Sequence, residues 1–293
     1  MSKKKIIRFG LPKGSLEKPT IEKMAKAGYN IRVSNRSLVP YIDDPEIECI
    51  LIRAQEMARY VEQGVMDCAI TGADWVNESG ADVEEVADLV APWRNYVPVR
   101  WVLAVKEGSP FEKPEDLQGK RIAAEVVGMT KRYLAAKHID ATVEFSWGAT
   151  EVKPPILADA IVDVTETGSS LRANGLKVID TIFESTPRLI ACRQSLEDDW
   201  VRSKLERLTM LLKGAIAAAS RVGLAMNVPR DQLDPVLALL PALNTPTIST
   251  LADHDWVAVS TVVEEKFVRD LLPRLVEAGA RGIIESPLNK IVG

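Results

Sequence analysis

The residues best suited to chemistry lie at positions 157–172, where an apolar run changes into a hydroxyl-rich loop. Residues 160–164 are apolar except for one acid, as expected of a buried parallel strand that ends at the carboxyl edge of a sheet, where ligands bind. A short helix follows and ends at Asn174-Gly175, so its first amides are unpaired. Amides and hydroxyls together bind a phosphate monoester. The hydroxyls and the glycine among them are Thr165, Thr167, Gly168, Ser169 and Ser170.

Three acids flank this loop, namely Asp159, Asp163 and Glu166. Carboxylates beside a phosphate cost free energy unless they accept hydrogen bonds from sugar hydroxyls or face a divalent cation. A phosphorylated ribose satisfies both the acids and the loop. The plainer interpretation is a strand-to-helix turn capped by Ser and Thr, but the acids together with four hydroxyls favour binding.

The loop resembles that of a known family. Its acid followed by Thr-Gly-Ser-Ser is similar to the 5-phosphoribosyl 1-pyrophosphate loop of phosphoribosyltransferases. Ala-Asp-Ala-Ile-Val-Asp at 158–163 and Thr-Gly-Ser-Ser-Leu-Arg-Ala-Asn-Gly-Leu at 167–176 resemble ATP phosphoribosyltransferase, the first enzyme of histidine biosynthesis.

The composition fits this resemblance. The 293 residues are 46% hydrophobic and 27% charged, which is typical of a globular protein with two or three cores. A net charge of -4 argues against nucleic acid and anionic membranes as partners, so phosphate binding has to be local. No apolar run reaches membrane length and no signal peptide is predicted. Cys49, Cys68 and Cys192 are predicted to be reduced core residues of a cytoplasmic protein, and two histidines leave little room for a His-based metal site.

Alternating strands and helices open the chain, which predicts a mostly parallel sheet. Strands are predicted at 6–10, 48–53 and 68–71, with helices at 17–27 and 54–63. The loops at 13–15 and 71–74 should therefore lie at one carboxyl edge. Lys13 would suit a polyphosphate as a point charge, although a solvated lysine and a tight turn capped by Asp74 are the plainer interpretations.

The resemblance extends to both loops. Leu-Pro-Lys-Gly-Ser-Leu at 11–16 and Ile-Thr-Gly-Ala-Asp at 70–74 are similar to family segments, and Arg53 resembles the family's active-site arginine. Ser15 and Glu56 stand where many members have Arg and Asp, which weakens a transfer of an arginine's role to position 15. The resemblance implies a nucleotide site at Lys13, Gly14, Ser15, Thr71, Gly72 and Asp74.

A second α/β lobe is predicted after Pro92-Trp93-Arg94, with strands at 99–105, 120–124 and 143–146 and a helix at 129–137. Strands at 176–183 and 188–192 are predicted to return to the first lobe. This plan resembles the two-lobed fold of periplasmic solute-binding proteins, whose cleft can close on ligands. The predicted domains are 1–97 with 180–219, 98–179, and 220–293.

The last domain has the order βαββαβ, which is the ferredoxin-like plan. Residues 243–248 and 279–284 resemble the ACT-like regulatory domain of the long form of the family. The resemblance implies feedback inhibition by histidine bound between tail domains, and assembly into dimers and hexamers. A merely structural or oligomerising domain is the alternative. The implied histidine site is Leu243, Thr245, Thr247 and Ile283.

The resemblance implies condensation of ATP with 5-phosphoribosyl 1-pyrophosphate, with Mg²⁺ held mainly by substrate phosphates. Asp163, Lys13 and Arg53 would be catalytic, with Arg94 as a further cation for the polyphosphate. Two alternatives remain: a solute-binding or amino-acid-sensing protein without turnover, and a phosphoribosyltransferase for another base. The implied phosphoribosyl site is Asp159, Asp163, Thr165, Glu166, Thr167, Gly168, Ser169 and Ser170.

Overall fold

The computed structural model describes residues 5–34, 37–90, 98–241 and 245–292. Arg94 and Leu243, to which the sequence assigned roles, lie outside these residues, as does the predicted lobe junction at 92–94. By contacts the chain divides into two units; the first holds two α/β lobes, and the second takes in residues 22–30 and the chain from Leu205 onward. None of the helices in the described ranges is long and apolar enough to cross a bilayer.

The first lobe is built on a sheet whose two edge strands are β4 (Ile47–Arg53) and β6 (Glu84–Asp88). The strands and helices predicted for it are present within a few residues of the predicted bounds. The short strands near residues 31 and 41 and the acidic edge strand at 84–88 were not predicted, because none has an apolar run. The elements are β1 (Ile7–Lys13), α1 (Glu17–Ala27), β2 (Ile31–Arg32), β3 (Tyr41–Ile42), β4 (Ile47–Arg53), α2 (Ala54–Glu62), β5 (Cys68–Gly72), α3 (Ala73–Ser79) and β6 (Glu84–Asp88).

The second lobe contains a sheet of its own, and the chain then returns to the first. Two 3₁₀ turns, Pro114–Leu117 and Thr150–Val152, connect its strands. Its elements are β7 (Val99–Lys106), β8 (Arg121–Ala124), α4 (Val127–Ala136), β9 (Thr142–Phe145), β10 (Ala160–Thr165), α5 (Ser169–Ala173) and β11 (Leu176–Ser185), followed by β12 (Pro187–Ala191) in the first sheet.

Each of the two sheets is parallel except for one antiparallel strand. Their strand orders are β4-β1-β5-β12-β6 and β11-β7-β10-β8-β9. Among the described strands, β12 runs antiparallel to both its neighbours, and so does β7. Of these two antiparallel strands, β7 is the first strand after the chain enters the second lobe, and β12 is the first after the chain returns to the first lobe. Both sheets are otherwise parallel, which confirms the predicted two-lobed α/β fold.

One strand prediction was wrong. Residues 176–183 were expected to return to the first lobe, but β11 pairs with β7 as far as Ser185. The reason is packing, because Ile179, Ile182 and Phe183 lie against the core of the second lobe. The return comes at Thr186, whose carbonyl accepts the Ala73 amide at 2.9 Å. The predicted domain boundary at residue 180 therefore cuts through this strand.

Strand β10 is fixed on both faces. Val162 belongs to the core that contains Trp101 and Leu103, whereas Ile161 packs with Leu171 on the opposite face. Both are essentially inaccessible to solvent, and burial of each side chain is worth about 1.5–3 kcal/mol. The loop that follows β10 thus begins from a rigid point.

The tail forms an antiparallel four-stranded sheet in the order β14-β15-β13-β16, which is the ferredoxin-like order and confirms that prediction. Two helices cover one face, and Val228, Val236, Val259 and Leu271 lie in the core between. The elements are α6 (Asp199–Ala218), β13 (Arg221–Pro229), α7 (Leu233–Leu239), β14 (Thr247–Thr250), β15 (Trp256–Glu264), α8 (Glu265–Glu277) and β16 (Arg281–Pro287).

Candidate active site

The loop after β10 bends around its own hydroxyls. Thr165 is 9% exposed, and its Oγ1 accepts the Gly168 amide at 2.8 Å. Thr167 donates to the Ser169 hydroxyl at 3.0 Å, and both side chains are exposed, as is that of Ser170. The buried threonine therefore shapes the bend, while the other three hydroxyls remain accessible to a ligand.

Gly168 cannot be replaced in this bend without strain. Its φ of +73° lies in the left-handed region, and a Cβ there would stand 2.9 Å from a guanidinium nitrogen of Arg172. The same contact shows that Arg172 folds back over the loop. Sequence reasoning quoted this arginine within the motif and gave it no role, yet it brings a positive charge to the place where an anion is predicted.

Asp163 lies half-buried two residues before the end of β10, and its Oδ1 accepts the Val164 amide at 2.8 Å. Burial raises the pKa of Asp163 to about 6. The hydrogen bond from the Val164 amide opposes this rise, and the negative charges of Glu151 and Glu125 add to it. A carboxylate that is costly to ionise in this way is stabilised by hydroxyl donors or a cation brought by a ligand.

Glu151 and Glu125 were not predicted. Glu151 lies on the 3₁₀ turn Thr150–Val152, and its Oε1 accepts the Ser170 hydroxyl at 2.8 Å. Glu125 directly follows β8, which is paired with β10 through Ala124 and Val162. The position after a parallel strand could have identified Glu125, whereas no sequence pattern points to Glu151.

Asp159 does not belong to this site, which corrects the prediction. It precedes β10, and Thr165 lies six positions further on at the other end of this strand, about 20 Å away at the usual rise. Its carboxylate accepts the Arg121 amide at 2.9 Å and caps the start of β8. Glu166 lies exposed on the loop, and its predicted role stays a prediction.

The first lobe presents two cations at one edge. Lys13 and Arg53 are register partners at the carboxyl ends of the adjacent parallel strands β1 and β4, and both side chains are exposed. Gln55, two residues on, donates to Glu125 of the second lobe at 3.4 Å. The carboxyl edges of the two lobes therefore face each other, with cations on one side and carboxylates on the other. Gly14 and Ser15 follow Lys13 in an exposed loop.

The other predicted nucleotide residues are buried. Thr71 is fully buried and donates to the Ala54 carbonyl at 2.9 Å, while Asp74 is 5% exposed. A side chain at Gly72 would collide with the Asp74 carboxylate. Their contact with a nucleotide stays a prediction, and the visible function of all three is to fix the end of β5.

Asp74 joins the lobes. One of its oxygens accepts the indole N–H of Trp101 on β7 at 2.8 Å, the other accepts the Trp75 amide at 3.0 Å, and its own amide donates to Ser185 Oγ. Close by, Glu78 on α3 accepts the amides of Gly128 and Met129 at 2.9 and 2.7 Å. A carboxylate from the first lobe thus caps helix α4 of the second.

No three His, Cys, Asp or Glu side chains of the described residues converge closely enough to form a metal cage. The carboxylates that act on Asp163 are hard oxygen donors of the type that Mg²⁺ prefers, and Mg²⁺ keeps few protein ligands when it binds together with substrate phosphates. The residues present therefore fit a magnesium ion that enters with a phosphorylated substrate.

The predicted regulatory residues are spread across the tail sheet. Thr245 and Thr247 are exposed, and β14 forms one edge. Ile283 lies on β16 at the opposite edge, and it is half-buried against the tail's own core. Three strand spacings, about 14 Å, separate these edges. One copy of the tail cannot bring both groups to a single small ligand.

Comparisons with known proteins match residues in both lobes and in the tail. A family model described as HisG, ATP phosphoribosyltransferase, matches residues 53–214, and a second, described as HisG, C-terminal domain, matches residues 218–290. The class defined by the two-lobed fold and its hydroxyl loop is thus that of the phosphoribosyltransferases.

Curated relatives extend the match over the chain. An ATP phosphoribosyltransferase of Solibacter usitatus is 58% identical over 98% of this chain and 99% of its own, and one of Thermodesulfovibrio yellowstonii is 56% identical over 99% of each. A solved ATP phosphoribosyl transferase (HisG:HisZ) complex from Thermotoga maritima has a TM-score of 0.58 and 27% identity, and covers 71% of this chain and 99% of that one. The chain belongs to the ATP phosphoribosyltransferase family, the transferases of histidine biosynthesis.

Proposed function

We propose that the protein transfers a phosphoribosyl group from 5-phosphoribosyl 1-pyrophosphate to ATP. The products are 1-(5-phosphoribosyl)-ATP and pyrophosphate, in the first step of histidine biosynthesis and in the cytoplasm. The observation that supports this most is the loop at 165–170, whose exposed hydroxyls and folded-back Arg172 lie beside a carboxylate with a pKa of about 6. These groups match the phosphate and the ribose hydroxyls of the donor.

The reaction needs no nucleophile from the protein. A ring nitrogen of adenine forms a bond to the anomeric carbon as the bond from that carbon to the pyrophosphate oxygen breaks, and the electron pair leaves with pyrophosphate. Positive charge develops on the ribose and negative charge on the leaving group. Alignment of the two substrates between the lobes supplies much of the acceleration.

The predicted site residues have separate roles in the proposed reaction. Thr165, Thr167, Gly168, Ser169 and Ser170 hold the 5-phosphate, and ionised Asp163 accepts hydrogen bonds from the ribose hydroxyls. Lys13 and Arg53, across the cleft, neutralise the polyphosphate of the bound substrates. Mg²⁺ supplies charge neutralisation at the pyrophosphate when bound, and Asp163, Glu151 and Glu125 offer it carboxylates.

A pyrophosphate-release assay with ATP and the ribosyl donor tests the proposal. We expect release that needs both substrates and Mg²⁺, and none from Gly168→Val, whose side chain would fill the loop. Binding of the donor without release would favour the sensor alternative. Release with a free nucleobase but not with ATP would favour a transferase for another base.

Histidine is proposed as a feedback inhibitor bound between tail domains of two copies. The separation of Thr247 and Ile283 on opposite sheet edges supports a shared site of this kind. Ile283 is half-buried, so part of its side chain remains accessible to such a ligand. A symmetric homo-oligomer, a dimer or hexamer, follows from such sharing.

A further inference from the structure

Two buried hydroxyls hold the turn between β9 and β10. Ser146 and Thr150 are 1% and 5% exposed, and their side-chain oxygens lie 2.7 Å apart. The ammonium of Lys153 donates to the Ser146 hydroxyl at 2.6 Å. Since an ammonium can only donate, Ser146 accepts there, and its own proton is available to Thr150. The three side chains form one hydrogen-bonded chain inside the turn, here called the brace.

Burial of large apolar side chains contributes little to this turn. Trp147 is 94% exposed and Val152 66% exposed, so the largest apolar side chains around the brace face solvent. The backbone is strained as well, because Ala149 has a φ of +47° in the left-handed region. That conformation costs about 1–2 kcal/mol for an alanine. The buried hydrogen bonds of the brace therefore hold the turn, together with the backbone hydrogen bonds that the Val152 and Lys153 amides donate.

The turn presents one functional group to the loop. Glu151 follows Thr150 directly, and its carboxylate accepts the Ser170 hydroxyl at 2.8 Å. Its charge also acts on Asp163. The Ser146 amide donates to the carbonyl of Ala124 at 3.0 Å, which ties the brace to the strand that ends before Glu125.

We propose that Ser146, Thr150 and Lys153 are positioning residues for the transfer reaction, which hold the Glu151 carboxylate at the rim of the 165–170 loop before the substrate binds. The inference rests on the proposed function, which makes this loop the site of the ribosyl donor. Fixing the rim in advance removes an ordering cost from binding, so the brace acts on donor affinity.

Thr150→Val tests the brace because it removes the hydroxyl and keeps the shape of the side chain. We expect the KM for the ribosyl donor to rise about tenfold, as for the loss of one well-made buried hydrogen bond. The KM for ATP and kcat should change less than about twofold. Thr150→Ser, which restores the hydroxyl, should return the donor KM to that of the wild type.

A matched control lies in α6. Thr209 is 8% exposed, and its hydroxyl has no hydrogen-bond partner within the described part of the chain. Thr209→Val makes the same change without breaking a contact and should leave the donor KM unchanged. Lys153→Met, at the accessible end of the brace, should raise that KM in the same direction and decides the matter if Thr150→Val does not fold.

A double-mutant cycle separates positioning from general stability. In a Glu151→Ala background, Thr150→Val and Lys153→Met should have no further effect on the donor KM, because the group they position is gone. The proposal would be overturned if Thr150→Val or Lys153→Met raised the donor KM by the same factor in the Glu151→Ala background as in the wild type. A Thr150→Val enzyme with the wild-type donor KM would also overturn it. Absence of turnover in the wild type would instead contradict the proposed function.

Discussion

At the scale of single residues, the half-buried Asp163 is the carboxyl group whose environment bears most directly on the proposed reaction. Burial and the charges of Glu151 and Glu125 raise its pKa to about 6. Only the ionised form accepts two hydroxyl donors at both oxygens. We therefore expect kcat/KM for the ribosyl donor to rise with pH through about 6 and then level off. A profile that is flat from about pH 5 to about 8 would contradict this role for Asp163.

The same shift predicts an effect on stability. In the unfolded chain Asp163 ionises near its ordinary pKa of 3.8, whereas in the folded protein it ionises near about 6. Between these values the unfolded state loses its proton first, so the folded state loses relative stability as pH rises, and the loss persists above about 6.

Asp163→Asn does not titrate and should escape this loss. Its melting temperature is expected to exceed that of the wild type at about pH 7.5, with the difference vanishing near about pH 4. Thermal melts across this range test the prediction. Parallel curves for the two proteins would mean that the carboxylate is not costly to ionise in the fold.

Residue types and spacing predicted the strand, the hydroxyl loop and the short helix that the structure shows, but they grouped acids that the fold separates. Asp159 was grouped with Asp163 because they are close in sequence, although the strand between them places Asp159 at the opposite edge. Glu151 was missed because it approaches Ser170 through the turn at 150–152, a contact between residues 19 positions apart. Contacts of this kind depend on turn geometry that no local pattern encodes.

At the scale of elements, the contact between α3 and β7 fixes the junction of the lobes. Trp101→Phe would remove the indole N–H from the buried Asp74 carboxylate. We expect the free energy of unfolding to fall by about 1–3 kcal/mol, the cost of a buried acceptor left unsatisfied. Denaturant titration measures it.

Trp147→Phe is the matched control. Because Trp147 is 94% exposed, this substitution should change the free energy of unfolding by less than about 0.5 kcal/mol. Equal effects of the two substitutions would show that the Asp74 hydrogen bond contributes nothing.

Most elements were predictable because their apolar periodicity is regular, as in α1 and α2, whose observed bounds agree with prediction within a residue. Strand β11 was predicted as a strand but assigned to the wrong sheet. Apolar and polar residues alternate little in its sequence. Its position in the second sheet depends on the packing of Ile179, Ile182 and Phe183 against a core built from distant segments. Periodicity specifies an element's type more firmly than its partner.

At the scale of the whole molecule, the tail domain has a ferredoxin-like fold, and no cluster of Asp, Glu, His or Cys that could hold a metal is found in its described residues. We expect histidine to inhibit the wild-type enzyme. Thr247→Lys, on the exposed edge strand β14, should abolish inhibition while kcat without histidine stays within about twofold. Assays of turnover against histidine concentration test this.

Thr142→Lys provides the control, because it places the same charge on an exposed edge strand of the second lobe. Inhibition should persist in this variant. Undiminished inhibition of the Thr247→Lys enzyme would remove β14 from the histidine site.

The order of lobes and tail could be predicted from the sequence because each follows its own regular pattern of strands and helices. The joining contacts could not. Asp74 was expected to face a nucleotide, but its hydrogen bonds to the Trp75 amide and the Trp101 indole were not predicted. Its partner Ser185 is 111 residues away in sequence, a separation at which only the assembled fold determines the contact.

The central claim is that the loop at 165–170 holds the 5-phosphate of the ribosyl donor. A crystal soaked with 5-phosphoribosyl 1-pyrophosphate measures this directly. The predicted result is phosphate density within hydrogen-bonding distance of the hydroxyls of Thr167, Ser169 and Ser170, with the ribose hydroxyls toward Asp163. Density for the donor at another place, with this loop empty, would contradict the account.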